Sequence, residues 1–459
     1  MLTTSKRDEF HFLELRLTNV RSFGGEQVFD FRSSEGKASR WCVILGENGV
    51  GKTTAMQALA MMRPAPAFER GQDGQVIHLE PKNDELPDPD WIEPDVFDYQ
   101  NQQLLNLIRQ GGAEVAASMT VTLVGPAGEQ VTIGFDSVSR DEKLASAEPR
   151  PQKRALNGKG PLIIGYGASR HTGTRNLVSI ADQRPTESLF DDLVELVDAE
   201  EVLEQFYREE LAARDEKRDE EAEKYKRIRT EIIEVVRAMT PDLQAINAGA
   251  RKSISFQTLS AKVGLSGLSL GYRVVVSWIV DLAWRLYHLR PDGLSPFKEH
   301  AIVIVDEVDL HLHPRWQREI RHKLLAHFPN VQFIVTTHSP IVAQEAVASG
   351  DPVAVVRWNG TAAEVINDPL PHQPWRYDEI LGSAAFGFAS GQDVRSSELL
   401  VERERLLRKH NLDLTERARL TTLNGIAHSI ETGDTPYDAA FDKLMERVVE
   451  LEKQLADRR

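Results

Sequence analysis

Residues 45–54 read LGENGVGKTT and fit the phosphate-binding loop pattern G-x-x-x-x-G-K-[ST] on Gly46, Gly51, Lys52 and Thr53. The chemistry of a triphosphate accounts for each residue type. Glycines at 46, 49 and 51 let the backbone curl so that successive N–H groups face phosphate oxygens, a concavity that side chains would obstruct. The candidate nucleotide contacts are therefore Gly46, Glu47, Asn48, Gly49, Val50, Gly51, Lys52, Thr53 and Thr54. Lys52 is placed to reach the β and γ phosphates of ATP, and the Thr53 hydroxyl to ligate Mg²⁺. The flanks agree: residues 41–45 (WCVIL) form a short apolar run of buried-strand type, and residues 53–62 (TTAMQALAMM) read as helix.

Working outward, residues 10–31 carry alternating apolar positions on either side of Gly24-Gly25, which predicts a hairpin before the phosphate strand. Residues 63–117 are rich in proline, aspartate and glycine and read as a surface insertion with one short helix at 104–108. A second hairpin is expected at 118–124 and 130–135, and a further strand at 161–165 leading into YGASR.

Between 186 and 240 there is no glycine or proline. Helical spacing recurs at Leu189, Leu193 and Leu196, and again at Tyr225, Ile228, Ile232 and Val235. Residues 212–224 lack any large apolar side chain, so about 20 Å of helix has no face to bury and is expected to project as an arm or hairpin tip. After Gly271 a helix to about residue 289 is apolar nearly all round and should be buried.

The strand 301–305, a helix over 314–328 and the strand 331–336 make the β-α-β alternation of a parallel sheet, so the fold class is α/β. Two short strands, 353–358 and 363–366, follow. The end of the chain reads as helical in three segments, 396–409, 414–430 and 435–456. The expected organisation is an N-terminal part of one head (1–185, with the insertion 63–117), a helical arm or lobe (186–260), the C-terminal part of the head (261–370) and a helical interaction region (371–459).

Residues 301–307 (AIVIVDE) form an apolar strand ending in two carboxylates. Asp306 is the second candidate ligand for Mg²⁺, and Glu307 the candidate to orient the attacking water. His338, after the strand ending TTHSP, is placed to reach the γ-phosphate. His311 and His313 lie two apart without further ligands and are assigned to packing or a subunit contact. LSLGYR at 268–273 opens the buried helix, so Ser269 and Gly271 form a candidate anion site that a second copy of the chain could close over nucleotide.

Composition sets outer limits. Of 459 residues, 41% are hydrophobic and 27% charged, ordinary for a folded globular chain. The net charge of −15 gives no general attraction to nucleic acid, so DNA contact would need a local basic patch. A single cysteine, Cys42, precludes an internal disulfide and a cysteine zinc cluster. No apolar run reaches membrane-spanning length, and a cytoplasmic protein without membrane contact is expected.

Taken in order, FHFLELRLTNVRSF, LGENGVGKTT, LSLGYR, VIVDEVDLHLHP and VTTHSP resemble the ABC-type ATPases of the SMC, RecF and OLD group. They look most like the compact bacterial ATPases of that group found in anti-phage systems such as Septu and certain retrons. The resemblance implies a P-loop head with a mixed sheet, an antiparallel lobe and a helical lobe, beside a helical C-terminal region. It also implies two composite ATP sites in a homodimer or higher oligomer. Gly46 to Thr53, Asp306, Glu307 and His338 would come from one protomer, and Ser269 and Gly271 from the other.

Two departures from the pattern imply slow hydrolysis. LSLGYR stands where LSGGQ or LSGGE is usual, and no glutamine occupies the glutamine-loop position, where YGASR offers Ser169 or Arg170. Residues 186–240 are also far shorter than an SMC coiled coil, which argues against chromosome tethering.

The leading expectation is an ATP-driven dimerisation switch that controls an effector protein such as a nuclease. The alternative is a DNA-clamping ATPase of repair or recombination, which predicts a basic patch and stimulation by DNA. A nucleotide-binding scaffold is disfavoured by Glu307. A transporter subunit is disfavoured by the N-terminal hairpin and by residues 63–240.

Overall fold

The computed structural model describes residues 9–62, 117–141, 144–149, 161–173, 184–243, 245–248, 254–258, 261–289, 295–368 and 413–432, with short pieces between them. In chain order the first elements are β1 (His11–Thr18), β2 (Gln27–Asp30), β3 (Trp41–Gly46), α1 (Lys52–Met61), β4 (Ala117–Val124), β5 (Gln130–Asp141), β6 (Leu144–Pro149) and β7 (Leu162–Tyr166). Then come the helices α2 (Ala199–Asp215), α3 (Asp219–Met239) and α4 (Leu270–Leu289). The chain continues through β8 (Ala301–Val305), α5 (Pro314–His327), β9 (Val331–Thr337), α6 (Pro340–Ala348), β10 (Val353–Trp358), β11 (Ala363–Asn367) and α7 (Leu414–Thr432).

Six strands in the order β7-β8-β9-β3-β10-β11 make the central sheet, parallel except for β11. Its inner strands are apolar on both faces because both faces are covered. Alternate side chains enter two separate cores. Val43, Leu45, Val303, Val305, Phe333 and Val335 pack with helices α2 to α6. Cys42, Ile44, Ile302, Ile304 and Ile334 face α1 and a second sheet.

That second sheet is antiparallel in the order β6-β5-β4-β1-β2, so both expected hairpins form, with β6 an addition at its edge. Gln332, fully buried in β9, fastens it to the central sheet. Its side chain accepts from the Phe12 amide at 2.7 Å and donates to the Phe12 carbonyl at 2.9 Å.

The register decides where a site can lie. Val305 pairs with Val335 and Val335 with Val43, which brings the C-terminal ends of β8, β9 and β3 to one edge. In open parallel sheets ligands bind at that edge. There β9 lies between the strand leading to the phosphate loop and the strand leading to the acidic pair.

The arm forms as expected at its tip. Helices α2 and α3 are joined by a tight turn at residues 216–218, and near the tip only the small Ala213 and Ala222 are buried. The first half of the expectation is corrected. Leu189, Leu193 and Leu196 do not share a helix, since a single 3₁₀ turn (Glu187–Leu189) gives way to irregular chain. Leu189 and Leu196 enter different cores and Leu193 is 76% exposed. The Asp191 side chain accepts from the Leu193 amide at 2.8 Å, a local turn that competes with helix. The helix begins only at Asp198, whose carboxylate caps the Glu200 amide at 2.8 Å.

The lobe is not wholly helical either: residues 245–248, 254–257 and 262–263 form a three-stranded antiparallel sheet. Helix α6 also went unread, although Ser339 at its N-cap and Pro340 at its first position announce it.

The described pieces of 63–116 are two short antiparallel ribbons. The helix expected at 104–108 and the segment 435–456 lie outside the described residues. The chain divides into units 1–386 and 387–459. In the second, α7 starts at a reciprocal cap, in which Asp413 accepts from the Glu416 amide and Glu416 from the Asp413 amide. Among the described residues no helix is long and apolar enough to cross a membrane.

Burial in β1, then His300 and Arg40, lower the pKa of His11 from 6.5 to about 4. The unfolded chain binds this proton more readily, so stability is complete above pH 6.5 and is lost as pH falls toward 4. The full effect is about 3 kcal/mol. We expect His11→Gln to lose less melting temperature than the wild type between pH 7 and pH 4.5, measured by circular dichroism.

Candidate functional site

The phosphate loop joins β3 to α1. Gly46, Gly49 and Gly51 have φ of 155°, 78° and 118°. Gly51 is also closely approached, since a Cβ there would collide with the Ser22 hydroxyl. Helix α1 starts at Gly51 without a side-chain cap, which leaves its first amides turned to the loop. Ser22 donates to the Val50 carbonyl at 2.9 Å, and Arg21 reaches Gln57 at 2.9 Å and Thr54 at 3.4 Å. Glu47, Asn48 and Thr53 are exposed along the loop, while Val50 is buried.

Lys52 lies folded across the loop. Its ammonium donates to the carbonyls of Gly46 and Glu47, both at 2.8 Å, and meets His338 Nε2 at 2.9 Å. Burial lowers the Lys52 pKa, opposed by the charges of Asp306, Glu307 and Asp309. Because an ammonium can only donate, Nε2 of His338 is the acceptor and the ring proton sits on Nδ1. The His338 pKa is lowered, by burial first and by Lys52 second, which agrees with a neutral ring.

Asp306 follows β8 directly. One carboxylate oxygen accepts from Thr53 Oγ1 at 2.6 Å and the other from the hydroxyl of Thr336 in the intervening strand. A hard cation of Mg²⁺ type prefers oxygen ligands, and these two oxygens could hold one. The next residue, Glu307, has a φ of 49°, a conformation that costs a non-glycine residue about 1–3 kcal/mol and persists only when its surroundings enforce it. Its amide donates to Thr336 Oγ1 at 2.7 Å. Among the described residues its carboxylate accepts no hydrogen bond, which leaves it available to a water molecule.

Two participants, Thr336 and Thr337, escaped the sequence reading, and Arg170 was read only as a candidate for the glutamine-loop position. Thr336 bonds both acidic residues, Thr337 donates to the Asp309 carboxylate, and Arg170 lies behind the acidic turn. The threonines were legible only as strand residues, since hydroxyls of this kind identify themselves through tertiary contacts. Asp309, third after Asp306, was present in VDEVDLHLHP as a further carboxylate. Of the two residues considered for the glutamine-loop position, Ser169 turns instead to Asp192 at 3.2 Å, and Arg170 is buried.

The structure gathers Lys52, Thr53, Asp306, Glu307 and His338 at one sheet edge. Ser269 and Gly271 lie at the start of α4 and, among the described residues, share no hydrogen bond with these five. Ser269 is exposed, and Gly271 lies so near the His311 carbonyl that a Cβ would stand 2.6 Å from it. His313 caps α5 by accepting from the Arg315 amide at 3.2 Å. Both histidine side chains are exposed.

Residues 14–63 match the model of an AAA domain, and residues 277–343 that of an AAA domain described as putative AbiEii toxin, Type IV TA system. The Septu protein PtuA of Bacillus mycoides (strain KBAB4) is 26% identical over 383 residues, 82% of this chain and 45% of that protein. The Retron Vc95 probable ATPase of Vibrio cholerae serotype O1 biovar El Tor is 34% identical over 113 residues, 24% of this chain and 22% of that protein. The chain thus spans less than half the length of either relative in these matches. Among solved structures, the SMC head domain from Thermotoga maritima overlaps 78% of this chain and 98% of its own, at 16% identity and a TM-score of 0.38.

Proposed function

We propose that this chain, a relative of the Septu PtuA and retron ATPase proteins, is an ATP-driven dimerisation switch that controls an effector protein in anti-phage defence. The observation that carries the reading is the convergence at one sheet edge of two hydrogen-bonded pairs, Lys52 with His338 and Thr53 with Asp306, with Glu307 beside them.

The residues fit Mg-ATP: positive-φ glycines make the loop concave, the amides of α1 are uncapped, and two oxygens suited to Mg²⁺ adjoin each other. Thr53 and Asp306 would hold the cation, which supplies charge neutralisation on the phosphate oxygens. Lys52 exchanges its loop carbonyls for β and γ phosphate oxygens, a move its position across the loop allows. His338, released from Lys52, turns a ring nitrogen toward the γ-phosphate. Glu307 orients water in line with the γ-phosphate and takes up its proton. Ser269 and Gly271 of a second copy complete the site from the far side, so that closure of two heads reports bound ATP and hydrolysis reopens them.

Control of a protein partner, here an effector such as a nuclease, is favoured over DNA clamping by the net charge of −15. The discriminating experiment is steady-state ATP hydrolysis by purified protein with and without linear double-stranded DNA. We expect slow turnover indifferent to DNA. A rate that rises several-fold with DNA would replace this reading with the DNA-clamping one.

A further inference from the structure

The acidic turn is held from behind by a cation that the phosphate-loop pattern does not require. Arg170, in the irregular segment after β7, is 4% exposed, and its two terminal nitrogens donate to consecutive backbone carbonyls. Nη1 reaches the Asp306 oxygen at 2.6 Å and Nη2 the Glu307 oxygen at 2.7 Å. We propose that Arg170 is a positioning residue for Glu307: its planar fork fixes the peptide groups that aim the catalytic carboxylate, and ties that aim to helix α4. The inference rests on the proposed ATP hydrolysis and deepens it.

The choice of acceptors is the first argument. A guanidinium beside an acidic pair ordinarily forms a bidentate ion pair with a carboxylate. Here it takes the carbonyls instead and leaves the carboxylates to face the phosphate loop, with Asp306 bonded to Thr53 and Thr336. The guanidinium remains charged: burial lowers its pKa to about 10, against the opposing pull of Asp306, Asp309 and Glu307.

The backbone is the second argument. Glu307 is held at a positive φ, clamped at its amide by Thr336 and at its carbonyl by Arg170 and by the Leu310 amide at 3.0 Å. Removing the fork frees the Asp306 carbonyl and leaves the Glu307 carbonyl on the Leu310 amide alone, which loosens the turn and lets the side chain drift from its line to the phosphate. A lysine could not replace the fork, because an ammonium is a point donor without planar geometry to match two adjacent carbonyls.

The attachments of Arg170 are the third argument. The guanidinium carbon lies 5.8 Å from the centre of the Trp278 ring in α4, the helix that begins at the LSLGYR segment. The neighbouring His171 carbonyl accepts from the Leu196 amide at 2.9 Å, just before α2. Arg170 is therefore packed against α4 on one side and bonded to the acidic turn on the other. A shift of α4 when a second copy docks would reach Glu307 through this side chain.

The test compares full-length wild type, Arg170→Lys and Arg170→Ala for ATP turnover, direct ATP affinity and melting temperature. We expect kcat to fall by about 10²-fold in both variants, the cost of a small misplacement of a reacting group. ATP affinity should stay within about threefold of wild type, since only transition-state positioning is lost. Guanidinium ion at sub-denaturing concentration should recover part of the activity of Arg170→Ala and none of that of Arg170→Lys.

The proposal is overturned if Arg170→Lys turns over ATP at the wild-type rate. It is equally overturned if turnover, affinity and melting temperature fall together without rescue, as a purely structural residue would behave. Wild type that binds ATP and does not hydrolyse it refutes the proposed function itself, which separates that failure from failure of the role of Arg170.

Discussion

Lys52→Ala should reduce ATP turnover on the order of 10³-fold and weaken nucleotide binding while leaving the fold intact. Lys52 is the ammonium over the phosphate loop, and its present partners are two loop carbonyls and a neutral histidine. Removing it takes away the charge that would meet the β and γ phosphates, and loss of one preorganised donor to developing charge costs about 10²–10³-fold elsewhere. The other buried cation nearby, Arg170, is committed to backbone carbonyls and cannot substitute. The carbonyls of Gly46 and Glu47 lose a donor but lie on an open loop where water can replace it, so the melting temperature should move by no more than a few degrees. Fluorescent nucleotide titration together with phosphate release measures both effects. Turnover within tenfold of wild type would show that this loop does not serve hydrolysis.

Glu307→Gln should reduce turnover by about 10²–10⁴-fold, the usual contribution of a positioned general base. Unlike the lysine variant, it should bind ATP as tightly as wild type. The distinction comes from geometry: Glu307 is held through its backbone by Thr336 and Arg170, so replacing one carboxylate oxygen with an amide leaves the turn in place. Its side chain has no hydrogen-bond partner to lose among the described residues. The variant is therefore a trap, able to load nucleotide and unable to discharge it. Single-turnover hydrolysis separates binding from chemistry here. A variant with wild-type turnover would move the base elsewhere, Asp309 being the next carboxylate along this turn.

What could be read from the sequence divides according to how local its cause is. The phosphate loop is a local device: glycines supply positive φ and the following lysine supplies charge, and all of it lies within ten residues. The strands of the central sheet were legible for a similar reason, because burial on both faces forces continuous apolar runs such as AIVIV at 301–305. The segment around Leu193 misled because apolar spacing alone does not reveal an aspartate side chain competing for backbone amides. The roles of Thr336, Gln332 and Arg170 were hidden for a deeper reason. Each acts on residues far away in the chain, and each bonds backbone groups that carry no sequence signature. Arg170 left only a faint trace, as one of two residues at a position where glutamine was missing.

The claim with the widest consequences is that ATP closes two copies of the chain around Ser269 and Gly271, and the measurement that tests it most directly is the solution mass of Glu307→Gln with and without Mg-ATP, by light scattering. The account predicts that ATP raises the mass to that of a dimer or a multiple of it, that ADP does not, and that adding Ser269→Arg, whose bulk would obstruct the second copy, abolishes the shift. A mass that is the same with ATP, with ADP and without nucleotide, in protein shown to bind ATP, would contradict it.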